Sequence, residues 1–452
     1  MKKFSLLLTM AALMVSSSVF AGSLDYLSNQ SAKYCMNTAA TARTDGADIV
    51  AYNPAGTALM GQGFFIDVSN QTLLKYYSAK EDAVLNEEYK QSEPTILLPN
   101  VFAVYNFGQM GMGKLAAYGQ MGVVAGGGTL KWDDGTIGTA AFAASNLTTI
   151  ATAAGSTPRG YTSNLEVSSV YYGFGGGLAY SLVDDMLSIS AGARYTMAER
   201  SAKLEASLLL NRTAFGGDYS IEVESEYEYD AAGVTPIFGL DIKPMKELTI
   251  GVRYEMETKL EFEYKQKALG ASSSNATVQA AVVPTVNNML ASTTMEGKKL
   301  NQNLPQILSL GAEYLVMPEL TVGLTGTMYF MSKADMEGLE DAFGTGWEVA
   351  LGATYKVMEA LKVGASVMYT DQAVKKEYLE SDDDLLTTSA NPILNSIFMG
   401  LGATYTVIPN LDLTLALSWV HYLPEDVKTT AGLDINYKKD IYNIALGASY
   451  RM

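Results

Sequence analysis

The chain has 452 residues, of which 48% are hydrophobic, and a mean hydropathy of +0.08. That value is far too low for a polytopic helical membrane protein, yet it accommodates a transmembrane β-barrel, in which only alternate strand residues need be apolar. A formal charge of −17 disfavours nucleic acid and acidic surfaces as partners, and a single cysteine (Cys35) with a single histidine (His421) excludes an internal disulfide and a Cys/His metal cluster.

Residues 1–21 open with Lys2 and Lys3, continue through an apolar stretch from Phe4 to Val15 and end in small residues at Ala21. This is the progression of a cleaved secretory signal, with cleavage expected after Ala21. About a dozen apolar residues cannot act as a membrane anchor, since a helical span needs roughly 20. Loss of the two lysines takes the formal charge from −17 to −19. No lipobox-like cysteine lies near the cut, so the mature chain is expected in the periplasm, in the outer membrane or outside the cell.

Residues 22–62 show no period-two alternation. In a wide barrel such a segment can fill the lumen as a plug; the alternative is a disordered periplasmic tail. The segment contains Asn53-Pro54-Ala55-Gly56, which by Asn and Pro chemistry alone is a turn.

From residue 63 onward the pattern is alternating. Strands are expected near 64–76, 96–107, 114–124, 166–181, 186–203, 219–243, 247–265, 305–316, 320–332, 346–357, 361–376, 393–407, 411–423 and 437–452. That is an all-β transmembrane antiparallel barrel of about 14 strands, the even number placing both ends on the periplasmic side. In the clearest strand, Trp347, Val349, Leu351, Ala353 and Tyr355 share one face, and Glu348, Ala350, Gly352 and Thr354 share the other. The Gly-Ala-Thr-Tyr of 352–355 recurs at 402–405, each copy followed by a short turn and a second alternating run.

A soluble sandwich also alternates. Aromatic placement favours the barrel: Trp347 and Tyr355 are eight steps apart, roughly 20 Å along the normal of a membrane whose barrel-facing apolar band is about 25 Å tall. Turns such as "LVMPE", "KVMEA" and "TVIPN" are short, whereas the intervening links are long, as in barrels with short periplasmic and long extracellular connections. Uneven spacing of Tyr314, Tyr355, Tyr405 and Tyr450 argues against a propeller. His421 follows Trp419 at the aqueous boundary and reads as a girdle residue rather than a general base, so no catalytic residue is assigned.

Three internal features stand out. In "AAYGQMGVVAGGG", Gly119 and Gly122 lie inside a strand, which marks a bend or bulge, or simple flexibility beside a long loop. Arg194 and Arg253 fall on the small-residue, lumenal faces of their strands. Either suits a ligand carboxylate, while Arg253 also suits neutralisation of Glu255 and Glu257. In "SIEVESEYEYD", Glu222, Glu224, Glu226, Glu228 and Asp230 oppose Ile221, Val223, Tyr227 and Tyr229. Phe238, Leu240 and Ile242 continue on the other parity, which predicts a β-bulge in "AAGVTP" and lifts the acids above the membrane. A solvated extension and a divalent cation bridged to "EMETKLEFEYK" are the two readings.

The run "TAATARTDGADIVAYNPAG" with its Asn53-Pro54-Ala55-Gly56, the strand "LPNVFAVY" at Leu98–Tyr105 and the hairpin repeats together resemble the FadL/TodX family, across the whole mature chain. The family comprises outer-membrane transporters of long-chain fatty acids and other hydrophobic compounds. The chain departs from it in ending at Met452 rather than at an aromatic residue, a position read by the barrel assembly machinery.

The resemblance implies a 14-stranded barrel (63–452) closed by an N-terminal hatch (22–62), with long extracellular loops at 123–165 and 266–304. Ligand is captured at the outer loops, passed to an internal pocket and released sideways through a kinked strand, here at Gly119 or Gly122. Val278, Ala281, Val282, Val283, Val286 and Met289 would line the capture groove, unless that loop is simply solvated.

The expected protein is a monomeric importer of hydrophobic molecules in the bacterial outer membrane, fatty acid first and aromatic hydrocarbon second. It would be surrounded by outer-membrane lipid and lipopolysaccharide and need no cofactor or metal. A dry path suits such cargo better than an aqueous pore. A structural or adhesive barrel and a general porin are the competing classes.

Overall fold

The structure, a computed structural model, describes residues 31–183, 185–292 and 294–452. The expected signal 1–21 and the first residues of the expected hatch, 22–30, lie outside these.

Eighteen strand segments form one closed antiparallel sheet. They are β1 (Gly63–Glu81), β2 (Glu87–Gln91), β3 (Thr95–Met110), β4 (Gly113–Trp132), β5 (Thr157–Leu182), β6 (Leu187–Arg212), β7 (Gly217–Met245), β8 (Leu248–Glu255) and β9 (Glu261–Ser272). There follow β10 (Lys299–Asn301), β11 (Ile307–Met317), β12 (Leu320–Tyr329), β13 (Gly346–Met358), β14 (Leu361–Asp371), β15 (Ser396–Ile408), β16 (Leu411–Tyr422), β17 (Glu425–Lys428) and β18 (Asp434–Arg451). β2 with β3, β8 with β9, β10 with β11 and β16 with β17 are interrupted halves of single staves, each pair lying along one neighbour. Fourteen staves result. β1 closes on β18, from Phe65↔Arg451 to Glu81↔Ile435.

The alternation is inside out relative to a soluble protein. Leu351, Leu401 and Leu446 are 51%, 61% and 58% exposed, while Thr325, Thr327, Ser396, Thr404 and Thr414 are buried. Large apolar groups therefore face lipid, and small or polar ones face the interior. Tyr314, Tyr355, Tyr405 and Tyr450 stand exposed near the short turns. Toward the long links, Trp347 lies 5.5 Å from Tyr369, and Tyr442 lies 5.9 Å from Tyr76 and 6.2 Å from Trp419, ring centre to ring centre. These are the two girdles.

The staves are taller than expected, and the predicted loops are correspondingly shorter. β4 and β5 leave 133–156 of the expected loop 123–165, and most of that is a helix, Ile137–Ala154. Thr136 and Thr139 form its capping box, and Gly155, at φ 57°, ends it. In the expected loop 266–304, β9 runs to Ser272 and two short helices follow, Ala276–Ala281 and Val283–Ala291.

The bulge expected in "AAGVTP" is absent, because β6 and β7 pair without a register shift from Leu187↔Ile242 to Arg212↔Gly217. Parity is constant; the medium changes. Outward residues are apolar up to Met197 and Val234, then charged from Glu199 and Asp230, whereas inward Tyr227 and Tyr229 are buried under the outer loops.

Residues 31–62 thread the lumen. The helix Ala32–Met36 packs on β14, β15, β16 and β18, and the turns Ala47–Ala51 and Pro54–Leu59 pack on β3 to β7. The wall makes room with inward glycines. A Cβ on Gly352 would overlap Asn37 Oδ1, and one on Gly400 would overlap the Cys35 carbonyl oxygen. Cβ atoms on Gly311 and Gly364 would stand 2.8 Å from Thr41 Cβ and Met36 Cγ. The repeated motif thereby gains a meaning at its first copy: Gly352 admits the plug, Thr354 Oγ1 accepts from Asn37 Nδ2 at 3.2 Å, and Tyr355 enters the girdle.

Candidate functional site

The plug is tied to the wall by polar side chains of both partners. Asn53 precedes a turn that starts at Pro54, the arrangement expected of an Asn cap followed by proline. Its Oδ1 accepts from Ala55 N at 3.3 Å, while Nδ2 faces Asp241 Oδ1 at 2.8 Å and the carbonyls of Thr41 and Leu240 at 3.1 Å. Ser188 Oγ donates to Ala55 O at 2.7 Å, and Asn106 Nδ2 donates to Thr57 O and Met60 O at 3.1 Å. Gly56 has no space for a side chain, since a Cβ would stand 2.7 Å from Arg43 O. At the other end of the plug, Lys33 Nζ pairs with Asp67 of β1 at 3.4 Å, and Arg43 pairs with Asp48 at 3.3 Å.

Above the plug, Arg194 of β6 and Arg253 of β8 both turn into the lumen and converge on one acid. Arg194 Nη2 lies 2.8 Å from Glu255 Oε2, and Arg253 pairs with Glu255 Oε1. All three side chains are buried. The Nε of each arginine is buried and has no hydrogen-bond partner among the described residues. Glu257, which shares their face in the sequence pattern, instead accepts from Asn303 Nδ2 at 2.8 Å. Two guanidinium groups against one carboxylate leave a net positive charge. Around it stand Phe102, Val124, Leu304, Ile307 and, from the plug, Ala51, together with the polar Asn100, Gln120 and Thr258. The cavity measures about 50 Å³, enough for a water or two and far below the roughly 300 Å³ at which ligand pockets begin. Occupation by a ligand requires Ala51 or its neighbours to move.

The same cavity meets the wall where the wall is irregular. Gly119 sits in an unbroken ladder between Ala103 and Gly176, and Gly122 is the last residue of β4 paired with β3. Beyond it β4 shifts register against β5 between Val123 and Ala125 and again before Gly128, and Gly126 and Gly128 have φ of 86° and 74°. The distortion therefore begins at Gly122 and is centred on 123–128, at the start of the expected loop 123–165. Lys75 of β1 and Thr95 of β3 patch the gap by donating to the Gly127 carbonyl, each at 3.0 Å.

The valines expected to line an outer groove are packed together. Val278, Val282, Val283 and Val286 are buried against Leu208, Leu210, Tyr219 and Ile221 of β6 and β7 and against Leu147 and Ile150 of the long helix, while Met289 is half-buried and Ala281 is exposed. A groove there exists only if the helices part.

The acids of β7 face outward into water and pair with lysines across the sheet, Glu224 with Lys203 at 3.5 Å and Glu228 with Lys267 at 2.8 Å. Among the described residues no His, Cys, Asp and Glu group is arranged to hold a metal ion. His421 lies 2.9 Å from Asp440, which also accepts from Trp419 Nε1 at 2.8 Å, within the outer girdle.

The family model described as outer membrane protein transport protein (OMPP1/FadL/TodX) matches residues 12–452. Among solved structures, a Pseudomonas aeruginosa FadL homologue is similar at 16% identity, with a TM-score of 0.63 over 93% of this chain and 98% of that one. The P. putida toluene transporter TodX is similar at 13% identity and TM-score 0.57, over 90% and 94%. The Ralstonia pickettii toluene transporter TbuX is similar at 14% and 0.52, over 90% and 94%. No curated protein matches the chain.

Proposed function

Because the chain belongs to the OMPP1/FadL/TodX family of outer membrane transport proteins, we propose that it imports an apolar molecule carrying a carboxylate, a long-chain fatty acid being the type case. The family consists of outer-membrane channels for hydrophobic compounds and not of enzymes. The finer reading rests on one observation. The Arg194–Arg253–Glu255 cluster carries excess positive charge at a point bounded by both apolar and uncharged polar side chains, the plug and the distorted stretch of β4. Charge-assisted bonds to a desolvated carboxylate are strong, and the remainder of such a ligand gains by leaving water.

In this scheme the outer loops capture the molecule, displacement of the turn at Ala51 enlarges the cavity, and the arginines hold the head group. The 123–128 bulge then serves as the sideways exit into lipid. Residues 22–62 act as the hatch. The names of TodX and TbuX favour a second reading, an aromatic hydrocarbon, in which the arginines would have no role.

The test is uptake by outer-membrane vesicles of hexadecanoate and of hexadecanol, with and without residues 22–62. Removal of the hatch should raise ion conductance and alter permeation of both probes. An adhesive barrel would show no uptake in either form, and a general porin would conduct ions steadily before the deletion. Preference for hexadecanoate that vanishes in Arg194→Gln/Arg253→Gln supports the carboxylate reading; equal handling of both probes by the intact protein overturns it.

A further inference from the structure

With the helical groove filled, the outer mouth offers a different way in. A cleft of about 610 Å³, within the size range of ligand sites, opens between the links that join β12 to β13 and β14 to β15, beside the short β10. Met336 and Tyr378 form its buried floor, and half-buried Leu300, Leu339 and Ala342 form its sides. Its rim is acidic: Glu337, Asp341, Glu377 and Asp384 stand against the single ammonium of Lys375.

The inner wall of the cleft includes a buried amide. Gln302 lines it and is buried, and its Oε1 accepts from Arg200 Nη1. That guanidinium lies inside the stave ring, 4.1 Å over the Phe262 ring and 5.2 Å over the Tyr171 ring. Gln302 thus joins the lining of the cleft to the aromatic cluster around Arg200.

We infer that this cleft is the port by which the transported molecule enters, and that an amphiphilic anion enters apolar end first. The inference rests on the transport reading above. The lining accepts alkyl surface, while four carboxylates around one cleft, set against a single lysine, hold a carboxylate head away until the tail has passed Gln302. The head then arrives last, which suits its capture by Arg194 and Arg253 with the tail already directed toward β4.

The experiment compares uptake of hexadecanol and hexadecanoate by vesicles bearing the full chain, Leu339→Trp, Ala342→Trp, or the rim variant Glu337→Gln/Asp341→Asn/Glu377→Gln. Folding is followed by heat-modifiable gel migration. Filling the cleft should slow both probes by roughly tenfold, the change that loss of one modest apolar contact surface produces. The rim variant, altered at exposed positions, should speed hexadecanoate and leave hexadecanol as it was. Folded tryptophan variants that take up both probes at the wild-type rate overturn the proposal, as does a rim variant that affects the two probes equally. Failure of the unaltered protein to move either probe would instead overturn the transport reading itself.

Discussion

Asn53 of the plug and Asp241 of β7 are 188 residues apart in sequence and joined by a 2.8 Å hydrogen bond inside the barrel. The amide has two jobs there, since it also caps the turn at Ala55. Asn53→Ala removes the partner of a buried carboxyl group, worth about 1–3 kcal/mol, and the cap, worth about 0.5–2 kcal/mol, together. The expected outcome is a folded barrel with a loosened plug, seen as raised single-channel conductance and faster proteolysis within 31–62. Unchanged conductance would show that the remaining ties suffice.

Gly400→Val should displace the plug by a different route, because the new side chain must occupy the position of the Cys35 carbonyl. The barrel wall keeps its strand pairing, as valine favours a strand. Thermal melting of the barrel should therefore change little while ion leak rises. A closed channel in this variant would contradict the close packing of plug on wall.

Arg194→Gln and Arg253→Gln should each weaken hexadecanoate binding by about 1.5–3 kcal/mol, the value of a hydrogen bond to a charged group, and leave hexadecanol binding alone. Glu255→Gln should act in the reverse direction on affinity, since it leaves two uncompensated guanidiniums, and should also lower stability. Calorimetric titration in detergent measures both.

Glu81 supplies a pH prediction. It ends β1 beyond the girdle residue Tyr76, and its carboxylate accepts from the backbone N–H of Ala83 (2.9 Å), Val84 (2.8 Å) and Leu85 (2.6 Å) and of Asp434 (3.1 Å). Burial pulls its pKa upward, but these bonds prevail and bring it from the ordinary 4.5 down to about 2. A depressed pKa stabilises the folded loop fully above the unfolded value, and that stabilisation disappears as pH falls through about 2. Amide exchange at Ala83, Val84 and Leu85 should stay slow at neutral pH and accelerate between pH 4.5 and 2 beyond its intrinsic trend. In Glu81→Gln the acceleration should be absent and the exchange faster throughout.

The staves were legible wherever lipid touches them, because Leu351, Leu401 and their neighbours must alternate with small lumenal residues. Legibility failed above the membrane. There Glu224 faces out and Tyr227 faces in, so the polarity of the two faces inverts with no change of register, and period-two reading mistakes the inversion for a bulge. The helix Ile137–Ala154 escaped because Ala and Thr make no polar stripe, although Thr136 with Thr139 and Gly155 were available as start and stop signals.

At the site, strand parity was enough to point Arg194 and Arg253 inward. It gave no means of seeing that both would meet on Glu255, or that Phe102 and Leu304, from distant staves, would stand beside them. Asn106 and Asp241 were passed over, though each is a polar residue on the inward face of an apolar strand near the short turns. That pattern is the mark of a wall residue with something inside to hold.

The height of β6 and β7 has a consequence for where cargo dehydrates. Thirteen residue steps separate the Glu199↔Asp230 pair from the hairpin tip at Arg212↔Gly217, which at the usual rise and tilt lifts the rim roughly 30 Å above the lipid. The outer end is thus lopsided, a tall β6–β7 wall facing the low rim on which β12 to β15 end beside the girdle. Under the proposed import, a water-averse molecule entering over the low rim would leave solution in the lee of that wall, screened on one flank from whatever hydrated sugar coat surrounds the barrel.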